Sequence, residues 1–313
     1  MREIKEANEL FLLTVITGLV GSYVYVGLGL NKGSYLFSLL YSQAILVAPT
    51  LFYVFMRKVN VKERFRYCKI KFGTVLLAFV FAFLIMPLMQ EINLISMLFA
   101  KNEISDKMFS ITEGRPFLVS ALVIAVIPAF LEESVYRGCF FHAYSKKSPM
   151  KAIFLSALFF GLMHLNFNQF SYAFVMGMVF CFLVEGTGSI FTSMIVHFTI
   201  NCSSVVMIYM QPVLEKVFRA QNEAASALSV DVNSIPRQTL IMGILIYGVI
   251  ACFTTALALG IYILMVKHEG RLEHFKQMFK RKPETQEQES FVSFPMVIGI
   301  IICLTYMIYG EFA

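Results

Sequence analysis

Apolar residues in this chain come in long blocks separated by short polar stretches. Nine blocks can be marked, at about 9–30, 34–56, 72–97, 116–144, 150–165, 169–186, 188–210, 238–266 and 291–311. Most have about 20 residues or more, the length an α-helix needs to cross a hydrocarbon layer about 30 Å thick. They lack the period-2 alternation of barrel strands, so helices are the spanning element. The pattern predicts an all-α, polytopic transmembrane bundle of about eight to nine helices, a single membrane domain over residues 1–313. Segments 150–165 and 169–186 are short for full spans, which sets the range in that count. No internal repeat is visible, so a transporter built from duplicated halves gains no support.

Composition agrees with the pattern. The chain is 58% hydrophobic and 15% charged, against about 25% charged in a soluble domain. A signal peptide would give one apolar block near the N-terminus, whereas here the blocks recur along the whole chain. The net charge of +6 is concentrated in loops, which argues against nucleic acid as a partner and for membrane lipid. Seven basic residues and one acidic residue fall between Arg57 and Lys71, and six more basic residues between Lys267 and Lys282. These read as cytoplasmic loops facing anionic headgroups, with the N-terminus on the same side. The 145–149 turn, with Lys146 and Lys147, joins them. The loops assigned to the opposite side, 98–115 and 211–237, each hold three basic and three acidic residues.

Residues 267–282 place Leu272, Phe275, Met278 and Phe279 at helical spacing among cations. That suits either a helix lying in the headgroup layer or a solvated linker. The PETQEQES stretch that follows is expected to be mobile. Six cysteines, without CxxC spacing and mostly in apolar blocks, are expected to be reduced packing residues.

Ionisable side chains inside apolar blocks must offset an insertion cost and are functional candidates by default. Glu132, Glu133 and Arg137 lie in the fourth block, His164 in the fifth, Glu185 at the end of the sixth, and His197 with Asn201 in the seventh. Glu91 and His142 lie closer to block ends and are expected near the surface, as is Glu185 beside Gly186 and Gly188. Glu133 and Arg137 are four apart and can pair on one helical face. Glu132 then points about 100° away, with no evident local partner. If the fourth helix continues to about Tyr144, Glu132 lies about 20 Å from its cytoplasmic end. On the same count His164 lies about 23 Å along the fifth helix and His197 about 15 Å along the seventh. Three helices thereby bring Glu132, His164 and His197 towards one depth.

Two chemistries suit a glutamate, two histidines and an asparagine. A buried carboxylate can take a proton from water while one imidazole orients that water, and the other imidazole with the carboxamide donates to a developing oxyanion. Alternatively Glu132, His164 and His197 form a ligand set for a divalent metal such as zinc with one position open. The residues alone admit both.

The three motifs on successive apolar blocks resemble those of a known family. EESVYR (Glu132–Arg137) fits E-E-x-x-x-R, FGLMH (Phe160–His164) fits F-x-x-x-H, and HFTIN (His197–Asn201) fits H-x-x-x-N. In this order they resemble the CPBP family of CAAX proteases and bacteriocin-processing enzymes, also called Abi, which includes the type II CAAX prenyl endopeptidases. The resemblance covers roughly 116–210, leaving 1–115 and 211–313 as flanking helices. It implies an intramembrane endopeptidase with a bundle of about eight helices. Glu132 and His164 would activate water, and His197 and Asn201 would stabilise the oxyanion. Glu133, Arg137 and Phe160 would support the site. The family is often labelled metalloprotease; the expectation here is the metal-free scheme, with no cofactor. Substrates implied by the resemblance are prenylated C-terminal tails or small peptides such as bacteriocin and pheromone precursors. The compact loops and short N-terminal region point to a bacterial plasma-membrane member that processes peptides.

Other proteolytic designs are absent from the sequence. The only aspartates, Asp106 and Asp231, lie outside the apolar blocks, so there is no intramembrane aspartyl pair. His268–Glu269 has Leu272 where HExxH requires its second histidine. No rhomboid-type GxS motif occurs. A reading from another class stays open: a non-catalytic membrane protein, for instance an immunity protein, that recognises a peptide or partner through the same polar cluster. A proton-coupled transporter would explain buried Glu and His but not the ordered motifs.

Overall fold

A computed structural model describes residues 2–102, 104–221, 232–280 and 290–312. Its first part contains α1 (Arg2–Gly27), α2 (Tyr35–Arg57), the short α3 (Val61–Arg64), α4 (Phe72–Ser96) and α5 (Ile104–Thr112). Next come α6 (Phe117–Ala121), α7 (Ile127–Glu133) and α8 (His142–Ser145). Two π-helical stretches, Leu122–Val126 and Ser134–Phe141, join these three into one rod, Phe117–Ser145. The rest comprises α9 (Pro149–Leu162), α10 (Phe167–Thr187), α11 (Ile190–Gln221), α12 (Arg237–His268), α13 (Leu272–Lys280) and α14 (Phe294–Phe312). No strand occurs among the described residues.

Seven of these helices and the composite rod are long and apolar enough to cross a membrane, eight candidate spans among the described residues. The exception among the apolar segments is α9. Its 14 residues reach only about 21 Å. Ser148 caps its start by accepting from the Lys151 N–H, and Pro149 suits the first turn, where no N–H is needed. At the other end Leu165 takes a left-handed conformation, φ 53°, and Asn166 caps α10. His164 therefore sits in the turn after α9, not far along a continuous 150–165 helix. The seventh block also differs from expectation, because α11 runs to Gln221 rather than stopping at 210. Helix α5 forms within the 98–115 loop.

The polar ends sort as the charge pattern leads one to expect. Glu3 pairs with Lys146 at 3.0 Å and Arg64 at 3.4 Å, and Arg57 reaches Glu6 at 2.7 Å. Glu185 receives Arg66 at 2.7 Å and His274 at 2.8 Å. These contacts gather the start of α1, the 58–71 loop, the 146–148 turn and α13 at one end of the bundle. At the other end Arg115 donates to Ser34 at 2.8 Å and the Asn102 N–H to Asn233 at 2.8 Å. Residues 281 and 282, residues 283–289 of PETQEQES, and Asp231 lie outside the described residues.

The three positions expected near the surface differ in how far the protein covers them. Glu185 is 3% exposed and ties α10 to the 58–71 loop and α13. Glu91 is buried on α4, with Oε1 beside Gly248 of α12. His142 is half-buried. In the core α1 stacks on α9 through Phe11 and Phe159, ring centroids 3.9 Å apart. Helices α9 and α10 touch backbone to backbone at Gly177, where a Cβ would come within 2.9 Å of the Ala157 Cα.

Candidate functional site

The rod Phe117–Ser145 positions most of the site, and proline chemistry shapes its first irregularity. Pro128 has no N–H, so it cannot supply the bond an α-helix would bring to the Ile124 carbonyl four residues back. That carbonyl lies in the first π stretch and accepts instead from Asn201 Nδ2 of α11 at 3.1 Å. Asn201 thus has one amide hydrogen committed to the backbone. π-helical stretches are frequent at functional sites. The second one starts directly after Glu133 and includes Arg137.

Glu133 and Arg137 form the expected i,i+4 pair, Nη1 to Oε1 at 3.0 Å, with both side chains fully buried. The guanidinium also donates to the Gly177 carbonyl at 3.0 Å and lies over the rings of Phe160 (4.6 Å) and Phe180 (5.0 Å). Glu133 does more than hold the arginine. Its Oε1 also lies 3.1 Å from His197 Nδ1. A carboxylate only accepts, so His197 donates from Nδ1 and turns Nε2 the other way. That nitrogen faces Glu132 Oε2 at 3.9 Å, beyond direct hydrogen bonding but within reach of one shared water. Phe180 stacks on the His197 ring at 5.0 Å and fixes its plane.

His164 is oriented in a parallel way. Its Nδ1 lies 2.8 Å from the Phe160 carbonyl, which requires Nδ1–H and leaves Nε2 as an acceptor in the neutral ring. The Phe160 ring meets His164 edge-on at 5.0 Å and His197 at 6.1 Å, so one ring packs against both imidazoles.

Glu132 is not without a partner. Gln43 of α2 donates from Nε2 to Glu132 Oε1 at 2.7 Å. This residue escaped the sequence reading because it carries no charge; its one signal was a carboxamide in an otherwise apolar stretch. Gln43, Leu40 and Ala44 face Val126, Ile127, Phe130 and Leu131 across a largely apolar groove of about 430 Å³ between α2 and the rod. From the charged end, the 58–71 loop covers the neighbourhood. Tyr67 hydrogen-bonds Ser134 at 2.7 Å and stacks near Phe130 at 6.2 Å. Burial raises the Tyr67 phenol above its usual range, so it stays a neutral donor.

Glu132, Glu133, Arg137, Phe160 and His197 thus form one contacting cluster, with His164 joined through Phe160. Asn201 stands one turn beyond His197, with its amide turned to Ile124. Among the described residues no three His, Cys, Asp or Glu side chains are grouped so as to hold a metal ion.

An all-helical bundle with eight apolar helices long enough to span a membrane, and with a cluster of ionisable side chains packed among them, belongs to the class of multi-pass membrane proteins. Residues 114–203 match the family model described as type II CAAX prenyl endopeptidase Rce1-like. The match spans less than a third of the chain and supports assignment to the CPBP family of CAAX proteases. That family consists of intramembrane endopeptidases of the CAAX type, to which the matched stretch is similar; the eight apolar helices among the described residues are those of an integral multi-pass membrane protein. No curated protein and no solved structure matches the chain.

Proposed function

We propose that this protein hydrolyses a peptide bond with a water activated by Glu132, without a metal. The observation that carries this reading is the gap between Glu132 Oε2 and His197 Nε2, 3.9 Å, between groups each already held from behind. Glu132 takes a proton from the water, whose oxygen adds to the scissile carbonyl, and later delivers that proton to the departing amine. His164, fixed through Nδ1, orients the water with Nε2. His197 donates from Nε2 to the oxyanion as the imidazolium, with the Glu133 carboxylate as counter-charge at Nδ1. Asn201 adds its second amide hydrogen. Arg137 and Phe160 hold Glu133 and the two rings in place. The apolar groove beside Gln43 supports a substrate with an apolar or lipidated flank: a prenylated CAAX tail or a small hydrophobic precursor peptide.

The test uses purified protein and two quenched fluorescent peptides, one farnesylated and ending in a CAAX tail, the other an unlipidated hydrophobic precursor. Glu132→Gln keeps shape and removes the base, so cleavage should fall by roughly a hundredfold to ten-thousandfold while peptide binding persists. Undiminished cleavage by Glu132→Gln sinks the mechanism. A wild-type protein that binds both peptides and cleaves neither favours the recognition reading. Exhaustive chelation should leave the wild-type rate unchanged; a loss restored by zinc would put a metal in the reaction.

A further inference from the structure

Gln43 is 6% exposed, on a helix outside the family match. Its Nε2 donates to Glu132, while its Oε1 is buried with no hydrogen-bond donor reaching it among the described residues. A buried unpaired carbonyl oxygen is costly and needs an explanation. The amide is held there by its other end, whose N–H Glu132 Oε1 accepts. Glu132 keeps that acceptor in both states if it acts as a general base: a carboxylate oxygen while ionised, the acid's carbonyl oxygen once the proton sits on Oε2.

We propose that Gln43 is the positioning residue for Glu132, holding that carboxyl group in both of its protonation states. This rests on the reading of Glu132 as the base. Before reaction, Nε2–H donates to the carboxylate and fixes which oxygen faces His197. When the water's O–H bond breaks and its proton becomes an O–H on Glu132 Oε2, its Oε1 becomes the carbonyl oxygen of the acid and still accepts from Gln43 Nε2–H. When the proton passes to the leaving amine, the carboxylate is restored with that hydrogen bond kept. A simple packing residue at this position would not need that N–H.

The experiment measures kcat and KM for the farnesylated CAAX peptide with the full-length protein. Gln43→Met keeps length and Gln43→Leu keeps bulk; both remove the carboxamide. Each is made alone and with Glu132→Asp, which keeps a base but withdraws it from the amide. Both single variants should lower kcat roughly ten- to a hundredfold with KM within about twofold. In the Glu132→Asp background neither should add to the loss already present. Unchanged kcat, a change confined to KM, or full additivity with Glu132→Asp overturns the proposal, as does failure of both variants to fold. Glu132→Gln cleaving at the wild-type rate would instead remove the underlying mechanism, so the two failures are distinguishable.

Discussion

At the scale of single residues, the decisive contact is the pair of fully buried charges at Glu133 and Arg137. Removing one partner strands the other in an apolar interior, a change that typically costs about 3–5 kcal/mol. Arg137→Met should therefore destabilise the folded protein by about that amount, read as a lower unfolding midpoint in detergent. Cleavage should also suffer in the molecules that remain folded, because Glu133 orients His197. Unaltered stability would show that the pair is not the anchor its burial indicates. The Glu133–Arg137 contact was legible in the sequence because its spacing is local and helical. The His197–Glu133 and Gln43–Glu132 contacts were not. Each joins residues 64 and 89 positions apart, and no local rule brings them together. Gln43 was harder still to find, since a neutral amide does not stand out among apolar residues as a charge does.

At the scale of elements, the bundle's spans were readable from apolar block length, and their internal irregularities were not. The stop of α9 at Leu162 follows from the left-handed Leu165 and the Asn166 cap, features that hydropathy does not register. The first π stretch depends on Pro128 and on a tertiary partner, Asn201, that accommodates it. This sets up a separation of roles. Asn201→Leu should leave the Ile124 carbonyl without that donor and cost about 1–3 kcal/mol of stability. Pro128→Ala returns an N–H to the rod, so in that background the stability loss should shrink. If Asn201 also donates to the oxyanion, cleavage should stay depressed in both backgrounds. Recovery of stability together with activity would confine Asn201 to the backbone role.

For the whole molecule, one end gathers the cations predicted to face anionic headgroups, and the ion pairs of Glu3, Glu6 and Glu185 tie its loops together. This arrangement agrees with the sequence in placing 57–71 and the described part of 267–282 together, because charge asymmetry is a property of whole loops and survives errors in helix ends. Which side of the membrane that end occupies is a separate expectation, and Cys68 can test it. Cys68 is exposed within the basic 58–71 loop, whereas Cys139, Cys181 and Cys303 are buried, Cys202 is half-buried, and Cys252 lies in the apolar α12. A membrane-impermeant maleimide should therefore react at Cys68 in inside-out vesicles and leave it unmodified in intact cells. A Cys68→Ser variant should lose that labelling while keeping its cleavage activity. Labelling from the outside of intact cells would invert the topology. The 163–168 turn carrying His164 would then open toward the cytoplasm, and a peptide substrate arriving from there would meet the site from the end opposite the basic loops.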